Sequence, residues 1–150
     1  MRNNAIAVLL TCIGLVGTVP PAGAQIFSAT RAVIAIVAND LFVGEAEGHL
    51  SGAGTLTIHS QKNPALTCGG QFASSPELGG AGQLQCSDGS VATFQFTRLT
   101  TFTGYGTGSF GRAVMTFVYG LGYADAVPYL SLPQGKKLIH NGVELALSDI

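Results

Sequence analysis

Hydrophobic and polar residues alternate along most of this chain. Over residues 55–59, Leu56 and Ile58 fall on one side and Thr55, Thr57 and His59 on the other, the period-two pattern of a half-buried strand. Leu66, Cys68, Gly70 and Phe72 share a parity in the same way, and Val114, Thr116 and Val118 alternate with Met115, Phe117 and Tyr119. Residues 31–43, RAVIAIVANDLFV, are denser, with apolar and β-branched side chains on both parities. That density predicts extended chain buried on both faces, with a turn at Asn39-Asp40.

The clearest unit is residues 79–96, GGAGQLQCSDGSVATFQF, which read as one β-hairpin. A two-residue Asp88-Gly89 loop would leave Phe94 and Phe96 on the wrong face. A three-residue loop, Ser87-Asp88-Gly89, pairs Leu84 with Ala92 and gathers Leu84, Cys86, Ala92, Phe94 and Phe96 on one side, because a one-residue slip inverts every side chain. Gly89 can take the left-handed conformation on which such a loop ends. Residues 136–147, KKLIHNGVELAL, predict a second hairpin. There Asn141-Gly142 suits a two-residue type I′ turn that pairs His140 with Val143 and Leu138 with Leu145. Between the hairpins, residues 123–130 suit a short helical turn limited by Pro128. The expected fold is all-β, a single antiparallel sandwich or small barrel of about eight to ten strands with one short helix before a C-terminal hairpin.

A glycine pattern repeats through the middle. Gly52-x-Gly54-x-Leu56, Gly80-x-Gly82-x-Leu84 and Gly106-x-Gly108-x-Phe110 recur at spacings of 28 and 26 residues, a period that successive hairpin units can produce. The central copy, with Asp88-Gly89 and Phe96 after it and Gly70-x-Phe72 before it, resembles the glycine and Asp-Gly spacing of MORN repeats. That resemblance implies stacked β-hairpins serving as a surface for protein or lipid. The layout is also similar to that of small exported bacterial proteins.

The first residues point to export. Arg2, an apolar run over residues 5–19, and Pro20-Pro21-Ala22-Gly23-Ala24 are the three parts of a secretory signal peptide, cleaved before Gln25. The expected division is a leader over 1–24 and one β-rich domain over 25–150. Leu9-Leu10-Thr11-Cys12 only loosely resembles a lipobox, so a lipid anchor at Cys12 is not expected. Three cysteines become two on cleavage, and an even pair in an oxidising compartment predicts a Cys68–Cys86 disulfide. The expected location is the periplasm or cell envelope. No other stretch predicts a transmembrane helix, and an outer-membrane barrel is disfavoured by short, glycine-broken strands and the lack of two aromatic girdles.

Composition narrows the partners. Seven Lys plus Arg stand against eight Asp plus Glu, with no basic stripe, so nucleic acid is not an expected partner. Glu45, Glu47 and His49 share one face of a strand and have ligand chemistry. Residues two apart lie roughly 7 Å from each other along a strand, however, so a solvated polar face is the expected reading. Glu47 and His59 have acid–base chemistry, but nothing in the sequence brings them together. GGAG and GYGTG precede strand patterns rather than the helix N-terminus that a phosphate loop needs, and no GxSxG elbow is present. No catalytic residue, metal or cofactor is expected. Phe102, Tyr105, Phe110, Tyr119 and Tyr123 could line a ligand or partner surface. The expected function is a non-enzymatic, exported structural or interaction module that meets an unknown protein or envelope component. A small-ligand carrier with an apolar barrel interior is the alternative, followed by a metal-dependent enzyme at Glu45, Glu47 and His49.

Overall fold

The computed structural model describes residues 27–75 and 77–150; the expected leader over 1–24, with Cys12, lies outside the described residues. Eight strands follow one another: β1 Ser28–Val37, β2 Asp40–His49, β3 Ala53–Ser60, β4 Thr67–Ser75, β5 Gly79–Cys86, β6 Val91–Arg98, β7 Gly104–Phe110 and β8 Ala113–Tyr119. Each pairs antiparallel with the next, and β8 pairs back onto β1 with Val33 opposite Tyr119 and Val37 opposite Met115. The result is a closed up-and-down barrel, which leaves no free sheet edge.

Alternation decides what fills it. Val33, Ala35 and Val37 of β1, Phe42 of β2, Leu56 and Ile58 of β3, Cys68 of β4, Leu84 and Cys86 of β5, Ala92 and Phe94 of β6, and Met115 and Phe117 of β8 form one buried interior cluster. The central hairpin has the expected register, with Leu84 opposite Ala92. Its loop closes through the Cys86 N–H donating to Ser90 O and the Gly89 N–H donating to Cys86 O, and Gly89 has φ +88°. Cys68 and Cys86 are direct partners across β4 and β5, Cα atoms 3.9 Å apart, and are joined by a disulfide.

The glycine repeats open three successive odd strands, β3, β5 and β7. Their inward glycines face large inward side chains on the even strands: Gly54 opposes Phe72, Gly82 opposes Phe94, and Gly106 opposes Phe117. A Cβ at Gly54 would lie 2.2 Å from Phe72 Cζ, and one at Gly106 would lie 2.4 Å from Phe117 Cζ. The missing side chains are the space into which the rings fold.

The outer wall divides into two parts. Over β3–β7 it carries Thr55, Thr57, Gln71, Gln83, Gln85, Thr93, Gln95 and Thr107, polar side chains where a lipid-facing band would be apolar. Over the halves of β1 and β2 next to their shared turn, and at Val118 of β8, it is apolar, and the chain returns to cover it. A short helix α1, Tyr123–Ala126, runs into a 3-10 turn, Val127–Tyr129, and then a hairpin of β9, Lys136–His140, and β10, Leu145–Asp149. Ala126, Leu130 and Leu138 bury Ile34, Ile36, Leu41 and Val118. The Ser131 N–H donates to Thr116 Oγ1 at 2.9 Å and pins the cover to β8. Residues 31–43 are therefore apolar on both parities because one face meets the barrel interior and the other meets the C-terminal segment.

Two turns differ from expectation. The β1–β2 turn falls one residue early, on Ala38 and Asn39, both at positive φ (49° and 65°). The C-terminal hairpin pairs Leu145 with His140 and Leu147 with Leu138, two residues out from the predicted register, so residues 141–144 form the loop. Asn141 is the cause: its Oδ1 accepts from the Val143 and Glu144 N–H groups at 3.1 and 2.8 Å, an Asx turn that competes with the two-residue form. The shift is even, so the same leucines keep the same face. Among the described residues no helix is long and apolar enough to cross a membrane.

Candidate ligand site at the open end of the barrel

The two ends of the barrel are built differently. At the end with the Ala38-Asn39 and Ser87–Ser90 turns, Phe42 and Phe110 meet at 6.4 Å, Met115 and the disulfide fill the axis, and Ser60 Oγ donates to Asp40 Oδ2. This end is closed.

The other end is open. A cavity of about 700 Å³ enters between the start of β1 and the β2–β3 and β6–β7 connections, within the roughly 300–1,000 Å³ range of small-molecule sites. Its deeper walls are Val33, Ala46, Leu56, Phe72, Phe94, Phe96 and Phe117. The rings brace one another edge to face: Phe72 on Phe96 at 5.6 Å, Phe94 on Phe117 at 5.4 Å, and Phe96 on Tyr119 at 5.7 Å. Offset and edge-on packing of this kind fixes ring positions, so the pocket is preformed.

Polar groups gather at the mouth. Arg98 continues the inward parity of Phe94 and Phe96 to the end of β6. Its Nε donates to Ser75 O at 3.1 Å, its Nη1 to Thr101 O at 3.0 Å and its Nη2 to Ser74 Oγ at 2.7 Å. These bonds tie two rim connections together. Arg31, inward on β1, has its guanidinium carbon 4.4 Å from the centroid of the Phe102 ring, within cation–π range. The Tyr119 hydroxyl is buried and has no hydrogen-bond partner among the described residues, and the same holds for His49 Nδ1. Burial pushes the Tyr119 phenol above its ordinary value, while the nearby Arg98 charge pulls the other way. Beside these groups, with Ser28 and Thr101, the rim carries large apolar side chains: Phe27, Leu50 and Phe102 line the mouth and are 68%, 82% and 48% exposed.

The residues singled out in the sequence fall in several places. Glu45, Glu47 and His49 do share a face of β2, but it is the outer one, opposite Ala32, Thr30 and Ser28 of β1; only His49, at the strand end, reaches the mouth. Among the described residues no group of three or more His, Cys, Asp or Glu is placed to hold a metal ion. His59 pairs with Val43, four residues along β2 from Glu47, so those two stay apart. Phe102 and Tyr119 belong to the mouth. Phe110 packs at the closed end, Tyr105 stacks on Tyr129 at 4.6 Å, and Tyr123 stacks on His140 at 5.7 Å. The two arginines went unremarked in the sequence, although the parity of Arg98 with Phe94 and Phe96 was the signal.

Fold and site together define a class: a closed eight-stranded antiparallel barrel with one stoppered end and one apolar, arginine-rimmed cavity. Set against known proteins, the chain matches no family model, no curated protein and no solved structure.

Proposed function

We propose that this protein is an exported, non-enzymatic carrier that holds a small, largely apolar ligand in the open half of its barrel. The observation that carries the reading is the cavity of about 700 Å³ with preformed aliphatic and aromatic walls. Burying apolar surface there contributes roughly 25 cal/mol per Å², and the braced rings need little reordering on binding. Export is supported by the Cys68–Cys86 disulfide, a bond that persists in oxidising compartments, and by the leader-like first 24 residues.

The test is titration of the purified protein with the neutral fluorophore N-phenyl-1-naphthylamine. Saturable binding at one site is expected, and Ala46→Trp, which places an indole in the cavity, abolishes it while the far-ultraviolet circular dichroism stays unchanged. A non-saturating, linear rise in fluorescence, identical in the variant, rejects the carrier.

A second reading, an interaction module for a protein or envelope component, draws on the exposed rim side chains Phe27, Leu50, Leu78 and Phe102, because contiguous apolar patches mark contact sites. It predicts that Leu78→Ser, outside the cavity lining, abolishes co-purification of a partner and leaves fluorophore binding intact.

A further inference from the structure

The polar groups at the mouth say what kind of ligand the cavity takes. We infer that the occupant is an amphiphile with one carboxylate head, held at the mouth by Arg98 and Arg31, and a hydrocarbon body that runs inward among Phe72, Phe94, Phe96 and Phe117. This rests on the carrier reading and sharpens it.

Charge is the first argument. The cavity lining includes Arg31, Arg98 and His49 and no Asp or Glu. The ion pair found among the described residues is Lys136–Asp149, at the far hairpin, so neither mouth arginine is neutralised by a carboxylate there. Hydrogen-bond capacity is the second. A guanidinium has five N–H donors; Arg98 commits three of them to Ser75, Thr101 and Ser74, which fixes its plane and leaves two. Gly104 stands between Arg98 on β6 and Tyr119 on β8. A Cβ there would lie 2.3 Å from the Tyr119 hydroxyl, so the phenol reaches over the glycine toward Arg98. An unpartnered hydroxyl beside a fixed guanidinium makes a donor set for one oxyanion, and bonds to an ionised acceptor are about twice as strong as neutral ones.

Depth sets the orientation. Below the mouth the walls offer hydrocarbon alone, and a charge buried there without a partner costs several kcal/mol. The head therefore stays with the arginines and the apolar part enters first.

The experiment is displacement of N-phenyl-1-naphthylamine by three ligands with a common twelve-carbon chain: dodecanoate, dodecan-1-ol and dodecyltrimethylammonium, each below its micellar concentration at neutral pH. Dodecanoate is expected to bind roughly 10- to 100-fold tighter than the alcohol, as a hydrogen bond to a charged group predicts, and the cation weakest. Arg31→Gln and Tyr119→Phe each narrow the acid-to-alcohol ratio several-fold, and Arg98→Gln removes most of it. Arg98 also ties the rim together; if Arg98→Gln fails to fold, the native chain and the other two variants still decide the matter. Saturable fluorophore binding with equal displacement by all three ligands, or an acid preference unmoved in every folded variant, overturns the carboxylate assignment and leaves the carrier standing. Absence of saturable fluorophore binding rejects both.

Discussion

Gly69 and Gly70 are neighbours in the chain that meet opposite environments, and substituting each by alanine tests the barrel register directly. Gly69 points outward; a Cβ there would find Leu56 O at 3.8 Å and Thr57 Oγ1 at 3.9 Å, ordinary contact. Gly70 points inward, and its Cβ would lie 1.8 Å from Gln83 O, 2.8 Å from Gln83 C and 3.0 Å from Leu84 Cα. All three atoms are backbone, so no side-chain rotation relieves the clash. A carbon next to a carbonyl oxygen needs about 3.3 Å, so β4 and β5 would have to part by about 1.5 Å of their roughly 4.8 Å spacing. The disulfide joins the same two strands two positions away, at Cys68 and Cys86, and opposes the separation. Overpacking of this size costs about 1–3 kcal/mol, and one or two weakened ladder bonds add about 1 kcal/mol each. Gly70→Ala should therefore lose about 3 kcal/mol and melt roughly 10 °C lower. Gly69→Ala should gain about 0.5 kcal/mol, because alanine has less backbone freedom to lose. Urea and thermal unfolding followed by circular dichroism, with the disulfide intact, read both. Equal stabilities would refute the reasoning, and a reversed order would mean that β4 is slipped by one residue.

Three further outcomes are expected. Cys68→Ala with Cys86→Ala removes a closure of 18 residues and should cost about 3 kcal/mol by the chain-entropy relation, with an unchanged circular dichroism spectrum; an unshifted urea midpoint would contradict it. Ala38→Asn with Asn39→Gly replaces two residues held at φ 49° and 65° by a pair suited to a type I′ turn, and should raise stability by about 1 kcal/mol in the same unfolding assay. The Tyr119 phenol, its ionisation pushed up by burial, should titrate above the ordinary tyrosine value of about 10. The folded state then holds its proton longer than the unfolded chain, so stability falls as pH rises from the unfolded value toward the folded one. Alkaline ultraviolet difference titration checks the first statement, urea midpoints against pH check the second, and Tyr119→Phe should abolish both effects.

The strands and the central hairpin were legible because alternation and loop length are local properties, and residues 79–96 contain every atom needed to choose between the two registers. The same holds for Cys68 and Cys86, whose shared inward parity could be read from their own strands. The Ala38-Asn39 turn was not legible: alanine carries no turn signal, and the chain accepts its positive φ because both flanking strands are held by the core and the C-terminal cover. In the last hairpin the Asn-Gly pair was read through its backbone preference, while the side chain of Asn141 set the loop. The mouth was hidden for a different reason. Arg31, Arg98 and Tyr119 are far apart in sequence and converge only once β8 closes on β1, so nothing short of the closed barrel shows that they share one opening.

The glycines and the cavity have one physical origin. An eight-stranded barrel is just wide enough for inward side chains to fill its axis, and at the stoppered end Phe42, Phe110 and Met115 do so. Toward the open end the inward positions of β3, β5 and β7 are Gly54, Gly80, Gly82, Gly104 and Gly106, and the rings opposite them settle into the vacated wall: Phe96 Cζ lies 2.8 Å from the Cβ position of Gly80, and Phe94 Cζ 2.5 Å from that of Gly82. A ring laid along the wall no longer occupies the axis. The glycine repeats are thus what keeps the upper barrel open, and the edge-to-face chain from Phe72 through Phe96 to Tyr119 keeps the rings from folding back across it. Any larger residue at these glycines would meet a ring and also a neighbouring backbone carbonyl, Ala73 O at 2.1 Å for Gly80 and Gln95 O at 2.2 Å for Gly106, so it would strain the wall as well as push the ring inward over the site. The proposed ligand binding and the glycine pattern should therefore be lost together, even in variants that still fold.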